Sequence, residues 1–124
     1  MDMADVVDHR KLLVWQEAIK LVEIVYQETS RFPLDELYGL QTQMRRSAIS
    51  IPANIAEGAG RITLKELLHC LGIASGSRAE LDTHIHIAHR LGYVAANSEL
   101  FGQLDRVARL LTGLRKSLKR QASS

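Results

Sequence analysis

The amino-acid sequence predicts an all-α fold, an antiparallel four-helix bundle with up-down-up-down topology, and three observations predict it. Apolar side chains recur at spacings of three and four in four separate segments. Breaks carrying Pro33, Gly58 with Gly60, and Gly92 divide those segments. No stretch alternates with period two, and the chain has neither an internal repeat nor a low-complexity tract. Helices that each carry one apolar stripe and are joined by short loops bury those stripes against one another as antiparallel neighbours.

The first helix is expected from about Leu12 to Thr29. Leu12, Trp15, Ile19, Val22 and Tyr26 form its expected core stripe, with Ala18, Leu21 and Val25 beside it. So wide an apolar surface calls for a second partner, either the other helices of the bundle or another subunit. Phe32-Pro33 breaks the chain, and the second helix is expected to open at Leu34 or Asp35, with Asp35 and Glu36 at its positive end. It runs on toward Arg61 with Met44, Ala48, Ile51 and Ile55 on one side and Arg46, Ser50, Asn54 and Glu57 on the other. Pro52 cannot donate a hydrogen bond to the carbonyl of Ala48, which predicts a kink or loosening there.

Thr63 is the expected N-cap of the third helix, with Glu66 completing a capping box. The helix extends to about Leu91, where Gly92 ends it, and its stripe is Leu64, Leu67, Leu68, Leu71, Ala74, Leu81, Ile85 and Ala88. The fourth helix opens near Asn97 or Ser98. Leu100, Leu104, Val107, Leu111, Leu114 and Leu118 then alternate steps of four and three, the seam of a coiled-coil-like packing.

A chain of 124 residues, 46% hydrophobic and 24% charged, is expected to form one domain over residues 1–124. Its ordered core is expected at about residues 12–118, with 1–10 and 121–124 flexible. The single cysteine, Cys70, excludes an internal disulfide framework. The first ten residues carry acids where a secretion signal needs bases, and no apolar run is long enough to span a membrane, so a cytoplasmic location is expected.

Few residues suggest chemistry. His84, His86 and His89 crowd the third helix, but by the helical count His84 points about 160° away from His86. No paired cysteines or carboxylate–histidine set accompany them, so they read as surface and interface histidines, with no metal or cofactor expected. Cys70 reads as a buried structural thiol. Phosphate-loop, dinucleotide and nucleophile-elbow motifs are absent. Gly72 and Gly76 each weaken a helix by about 1 kcal/mol relative to alanine. Close approach of a neighbouring helix, met by Ala53 and Ala56, is the expected compensation. Arg78 falls in the apolar stripe and is expected to find an acid, Glu57 or Glu80. Arg46, Ser50, Asn54 and Glu57 are mixed in sign and read as a hydrogen-bonding seam, solvated or between subunits.

The charge is unevenly spread. Residues 1–40 hold eight acids and four bases, whereas residues 103–124 hold one acid and six bases. Arg106, Arg109, Arg115, Lys116, Lys119 and Arg120 make the last helix a basic one, suited either to its own dipole and solubility or to phosphate contacts.

Three pieces carry a resemblance: F-P-L-D-E-L-Y-G-L-Q-T-Q-M-R-R-S-A-I-S-I-P-A-N-I-A-E-G (Phe32 to Gly58), I-A-S-G-S-R-A-E-L (Ile73 to Leu81) and L-G-Y (Leu91 to Tyr93). The chain resembles, from about Leu12 to Leu118, the four-helix-bundle proteins named after open reading frames in intervening sequences of bacterial 23S ribosomal RNA. Members are similar to the accessory protein of diversity-generating retroelements. The resemblance therefore implies a barrel-shaped homopentamer that works with nucleic acid, and it brings no catalytic residues. The family-pattern positions include Tyr38, Gly39, Arg45, Arg46, Ser50, Asn54, Glu57, Gly58, Arg61, Gly76, Ser77, Glu80 and Tyr93.

The resulting expectation is a non-enzymatic homo-oligomeric scaffold or adaptor. Arg45, Arg46, Arg61, Arg115, Lys116, Lys119 and Arg120 would contact RNA or DNA phosphates. Tyr38, Gly39, Arg46, Ser50, Asn54, Glu57, Gly58, Arg78 and Glu80 would serve the fold or a subunit interface. The alternative is a protein–protein module whose arginines are interface contacts. A metal-dependent enzyme built on the histidines is the third reading.

Overall fold

A computed structural model describes residues 8–123, so the expected flexibility of residues 1–7 and Ser124 lies outside the described residues. Asp8 caps a short 3-10 turn, His9–Lys11, and four helices follow: α1 (Leu13–Thr29), α2 (Leu40–Ala59), α3 (Leu64–Arg90) and α4 (Glu99–Ser123). The described residues contain no strand.

Cross-helix contacts run in opposite sequence directions between every neighbouring pair. Between α2 and α3, Gly58 lies against Cys70, Ser50 against Ser77 and Ser47 against His84. Between α3 and α4, Gly72 lies near Arg115 and both His86 and His89 pack on Phe101. Glu28 of α1 accepts from Ser98 at the start of α4, and Glu17, three turns earlier, meets Gln103 and Arg106. Each helix thus packs antiparallel to the ones before and after it, and α4 returns to α1.

The helix ends have local causes. Thr63 Oγ1 accepts from the Glu66 amide at 3.1 Å, which satisfies one of the free donors opening α3. Ser98 Oγ accepts from the Leu100 amide at 3.2 Å to open α4. Gly92 carries a φ of 84°, a left-handed conformation that a side chain disfavours, and the chain turns there from α3 toward α4. α2 continues through Pro52, whose ring is buried. α4 keeps helical geometry to Ser123, beyond the expected edge of the core at Leu118.

The second helix starts later than expected. Leu34–Glu36 form a separate 3-10 turn and α2 begins only at Leu40, because Gly39 adopts a non-helical ψ of −113°. A Cβ on Gly39 would sit 2.9 Å from Glu36 Oε1, the atom that accepts from the Leu40 amide at 3.4 Å. The turn stores its carboxylate where Gly39 leaves room for it.

The core line of α1 also differs. Val14, Ala18, Leu21 and Val25 are the buried residues, together with Glu17 and Thr29. Trp15, Ile19 and Val22 are half-buried and Tyr26 is 40% exposed, so the expected stripe lies on the flank beside α2. Both lines are apolar, and the smaller residues allow α1 to approach its neighbours α2 and α4 closely. In α4 every seam residue but the half-buried Leu114 is buried, and in α2 Met44, Ala48, Ile51 and Ile55 are fully buried as expected.

Candidate functional site

Most of the family-pattern residues converge on the groove between α2 and α3, the most extensively packed helix pair. Gly58 explains how the two backbones come so near. A Cβ there would meet Cys70 Cβ at 2.9 Å and Leu67 Cδ1 at 3.0 Å, closer than real carbon contacts allow. About two turns further along, Ser50 Oγ and Ser77 Oγ lie 2.7 Å apart, and Asn54 Nδ2 donates to the Ser50 carbonyl at 2.8 Å and to its Oγ at 3.0 Å. His84 continues the seam, its Nδ1 3.4 Å from Ser47 Oγ and its Nε2 3.8 Å from Glu80 Oε1. The seam fixes the register of two helices whose apolar faces alone would tolerate sliding.

At the lower end of this groove Arg61 Nη2 donates to Glu57 Oε1 at 2.6 Å, and the pairing holds the Arg61 guanidinium protonated above its ordinary range. Glu57, Arg61, Thr63, Lys65, Glu66, His69, Cys70 and Ile73 line an open cleft of about 770 Å³ there. Cys70 is buried, as expected. The acids Glu57 and Glu66 of the cleft balance the bases Arg61 and Lys65.

Two expectations about packing are corrected. Nothing lies within 4 Å of a Cβ placed on Gly76, and the nearest atom to one on Gly72 is Arg115 Nη2 at 3.8 Å. The close helix approach occurs at Gly58 instead, because the antiparallel register brings that residue, and neither Gly72 nor Gly76, over a facing helix. Arg78 is half-buried and makes no ion pair with any described residue: Glu57 is taken by Arg61, and Glu80 faces His84.

The histidines diverge. His84 faces α2, whereas His86 and His89 flank the Phe101 ring of α4 at 5.6 and 5.9 Å between centroids. His86 is 3.4 Å from Asp82, and His89 Nδ1 is 2.8 Å from the Val94 carbonyl. Among the described residues no three His, Cys, Asp or Glu side chains gather as metal ligands would.

The basic candidates differ in exposure and in their contacts. Arg45 is tied to α1: its Nε donates to Thr29 Oγ1 at 2.9 Å and its guanidinium lies 4.2 Å over the Tyr26 ring. Arg115 is half-buried, and its Nε is sealed from solvent without an acceptor. Arg46, Lys116, Lys119 and Arg120 are exposed. Arg109 is exposed and pairs with Asp105 at 3.0 Å.

Sequence reasoning missed Glu17. It is 4% exposed on the core line of α1, accepts from Arg106 Nε of α4, and has Lys20 Nζ 2.9 Å from its Oε2. Hydrogen bonds from Lys20 and then Arg106 hold its carboxyl below the usual range. Gln103 Nε2 donates to its backbone carbonyl at 2.9 Å. The signal in the sequence was an acid one step of three from Val14 and one step of four from Leu21, within an otherwise apolar line.

At the opposite end of the bundle one carboxylate joins two loops. Glu36 receives a hydrogen bond from the Tyr93 hydroxyl, and Phe32 packs on the Tyr93 ring at 5.3 Å. Burial, followed by that bond, raises the Tyr93 phenol above its ordinary value. Tyr38 projects freely and is 90% exposed.

Among the described residues no helix is long and apolar enough to cross a membrane. A comparison with curated proteins finds no match. The family model described as 23S rRNA-intervening sequence protein matches residues 10–113, a span that contains the Gly58 approach, the α2–α3 seam and the Glu36–Tyr93 link. On that match over most of its length, with four helices packed as described, the chain belongs to the 23S rRNA-intervening sequence protein family.

Proposed function

We infer that the protein is a non-enzymatic scaffold that works as a homo-oligomer, a ring of five in the form that the family resemblance implies, within a nucleic-acid-containing complex. The observation that carries the reading is the partly exposed apolar flank where α1 meets α2. Trp15, Ile19 and Val22 are half-buried on α1, and the register set by Arg45 over Tyr26 brings Ile49 of α2, 44% exposed, level with Val22. Ala53 is exposed and Ala56 half-buried along the same helix. A flank of large apolar side chains beside small ones, with its one cation already engaged by Tyr26, suits contact with another protein surface.

The nucleic-acid contact would fall to the exposed bases, Arg46 and the α4 set Lys116, Lys119 and Arg120, rather than to Arg45. Binding should weaken steeply with salt and show little sequence preference. A second reading, a protein–protein module in a cytoplasmic assembly without nucleic acid, is favoured by the occupied state of Arg45 and Arg61. Fluorescence anisotropy with a structured RNA and a matched DNA duplex across a salt series separates the two, with oligomer mass measured on the same sample. Submicromolar binding whose salt slope falls by about 0.9 per lost contact in a variant carrying Arg115, Lys116, Lys119 and Arg120 all changed to Gln supports the first. Absence of binding at low salt leaves the second, and a monomeric mass at all concentrations overturns the scaffold reading.

A further inference from the structure

The two ends of the bundle are unlike in charge and alike in carrying bare apolar side chains. One end is built from the α1–α2 and α3–α4 connections, joined by the Glu36–Tyr93 hydrogen bond and the Phe32–Tyr93 contact. Leu34 is 88% exposed there, Tyr38 90%, Leu91 54% and Leu37 41%. Around them stand Glu28, Asp35, Glu36 and Glu99 against Arg31 and Arg90. Arg31 is drawn to Glu28 at 3.9 Å, and Asp35 is exposed with no partner among the described residues.

The other end is built from the His9–Lys11 turn, the α2–α3 connection and the last turns of α4. The α1–α4 register brings Leu12–Val14 against Leu110 and Leu114, so residues 116–123 reach past the start of α1. Ile62, 89% exposed, is the bare apolar side chain here. Among the described residues of this end the bases Arg10, Lys11, Arg61, Lys65, Lys119 and Arg120 outnumber the acids Asp8, Glu57 and Glu66. Asp8 pairs with Arg10 and Glu57 with Arg61, and none of Lys11, Lys65 and Lys119 lies within ion-pair distance of a described carboxylate.

We propose that these ends are complementary docking surfaces for a second copy of the chain, the acidic Leu34–Tyr38 end of one molecule seating head to tail on the basic Ile62 end of the next. Charge selects the occupant and its direction. Two acidic ends brought together would oppose Asp35 to Asp35, and two basic ends would oppose their lysines, whereas unlike ends attract and bury Leu34, Tyr38 and Ile62 against each other. Such a contact is heterologous and can be extended through both ends of every molecule. A bundle end is about 20 Å across, so the contact covers well below the area of about 1,200 Å² that a stable interface buries. It is therefore weak for a single pair and strengthened wherever several bundles present their ends side by side.

The test is sedimentation velocity on the nuclease-treated full chain over a concentration series, at about 10 mM and about 500 mM salt, where charges are screened over about 30 Å and about 4 Å. Three samples are compared: the parent, a variant carrying L34K and Y38K, and a variant carrying I62E, each of which sets like charges against the facing end at exposed positions. The parent is expected to gain mass with concentration at low salt and to lose that gain at high salt. Each variant alone is expected to stay at its basic unit, and an equal mixture of the two, each with one intact end, is expected to form pairs of units and stop there. A parent whose mass is independent of concentration overturns the proposal, as does self-association of either variant alone or a mixture that fails to pair. The lateral apolar contact proposed above is distinguishable, since it survives high salt and both end variants: its failure leaves single chains that still pair through their ends.

Discussion

Placing alanine at Gly58 and, separately, at Gly76 should change stability in opposite directions. At Gly58 the new Cβ would lie 2.9 Å from Cys70 Cβ and 3.3 Å from the Leu67 carbonyl oxygen. Carbon atoms rest at about 3.7 Å, so α2 and α3 must part by about 0.8 Å, and no rotation about χ1 relieves a clash with a Cβ. Overpacking of that kind costs about 2 kcal/mol, offset by about 1 kcal/mol from the better helix propensity of alanine, for a net loss of about 1 kcal/mol. At Gly76 nothing lies within 4 Å, so only the propensity gain of about 1 kcal/mol remains. With an m-value of about 1.5 kcal/mol/M, urea midpoints should fall by about 0.7 M for G58A and rise by about the same amount for G76A. The assay is equilibrium unfolding followed by far-ultraviolet circular dichroism at matched oligomer mass. A G58A midpoint equal to or above that of the parent would refute the claim that Gly58 sets the α2–α3 distance.

Three further outcomes are expected. The depressed Glu17 carboxyl contributes stability above its ordinary value of 4.5 that is lost as pH falls through its lower folded value, so urea midpoints should drop in acid and E17Q should flatten that drop. Thr63→Ala removes the cap on α3 and should cost about 1 kcal/mol, while Thr63→Ser should restore most of it in the same denaturation assay. Arg45→Ala removes the cation over Tyr26 and the bond to Thr29, and should lower stability by about 1 kcal/mol while leaving RNA affinity in the anisotropy assay unchanged.

The parts of the fold that the sequence made legible are those where one physical preference acts alone. The α4 seam is a single stripe on a charged helix, so the spacing of Leu100 to Leu118 marks its buried face directly. The Thr63 cap and the Gly92 turn are likewise local and need no knowledge of neighbours. α1 is apolar around much of its circumference, and choosing between two lines by side-chain bulk favours Trp15 and Tyr26 over Ala18, whereas the packing favours the narrower line. Glycines mislead for the same reason. Gly72 and Gly76 have suggestive spacing, but close approach depends on which residue lies opposite, and only the assembled register reveals that to be Gly58. In the groove, Ser50 and Asn54 could be placed on one helix face from the sequence, but their partner Ser77 could not.

The Glu17 cluster has a bearing on time as well as on stability. α2 and α3 are consecutive and share the closest packing, so they can associate as a hairpin after closing only a short connection. The Glu17–Arg106 and Glu17–Gln103 bonds join helices separated by 89 and 86 residues, and they form only when α4 returns to α1. Contacts made after the rate-limiting step scarcely alter the speed of folding and act almost wholly on the speed of escape from the native state. If α4 docks after that step, the clasp is a brake on unfolding, and its loss would speed the release of α4 together with the basic surface it carries.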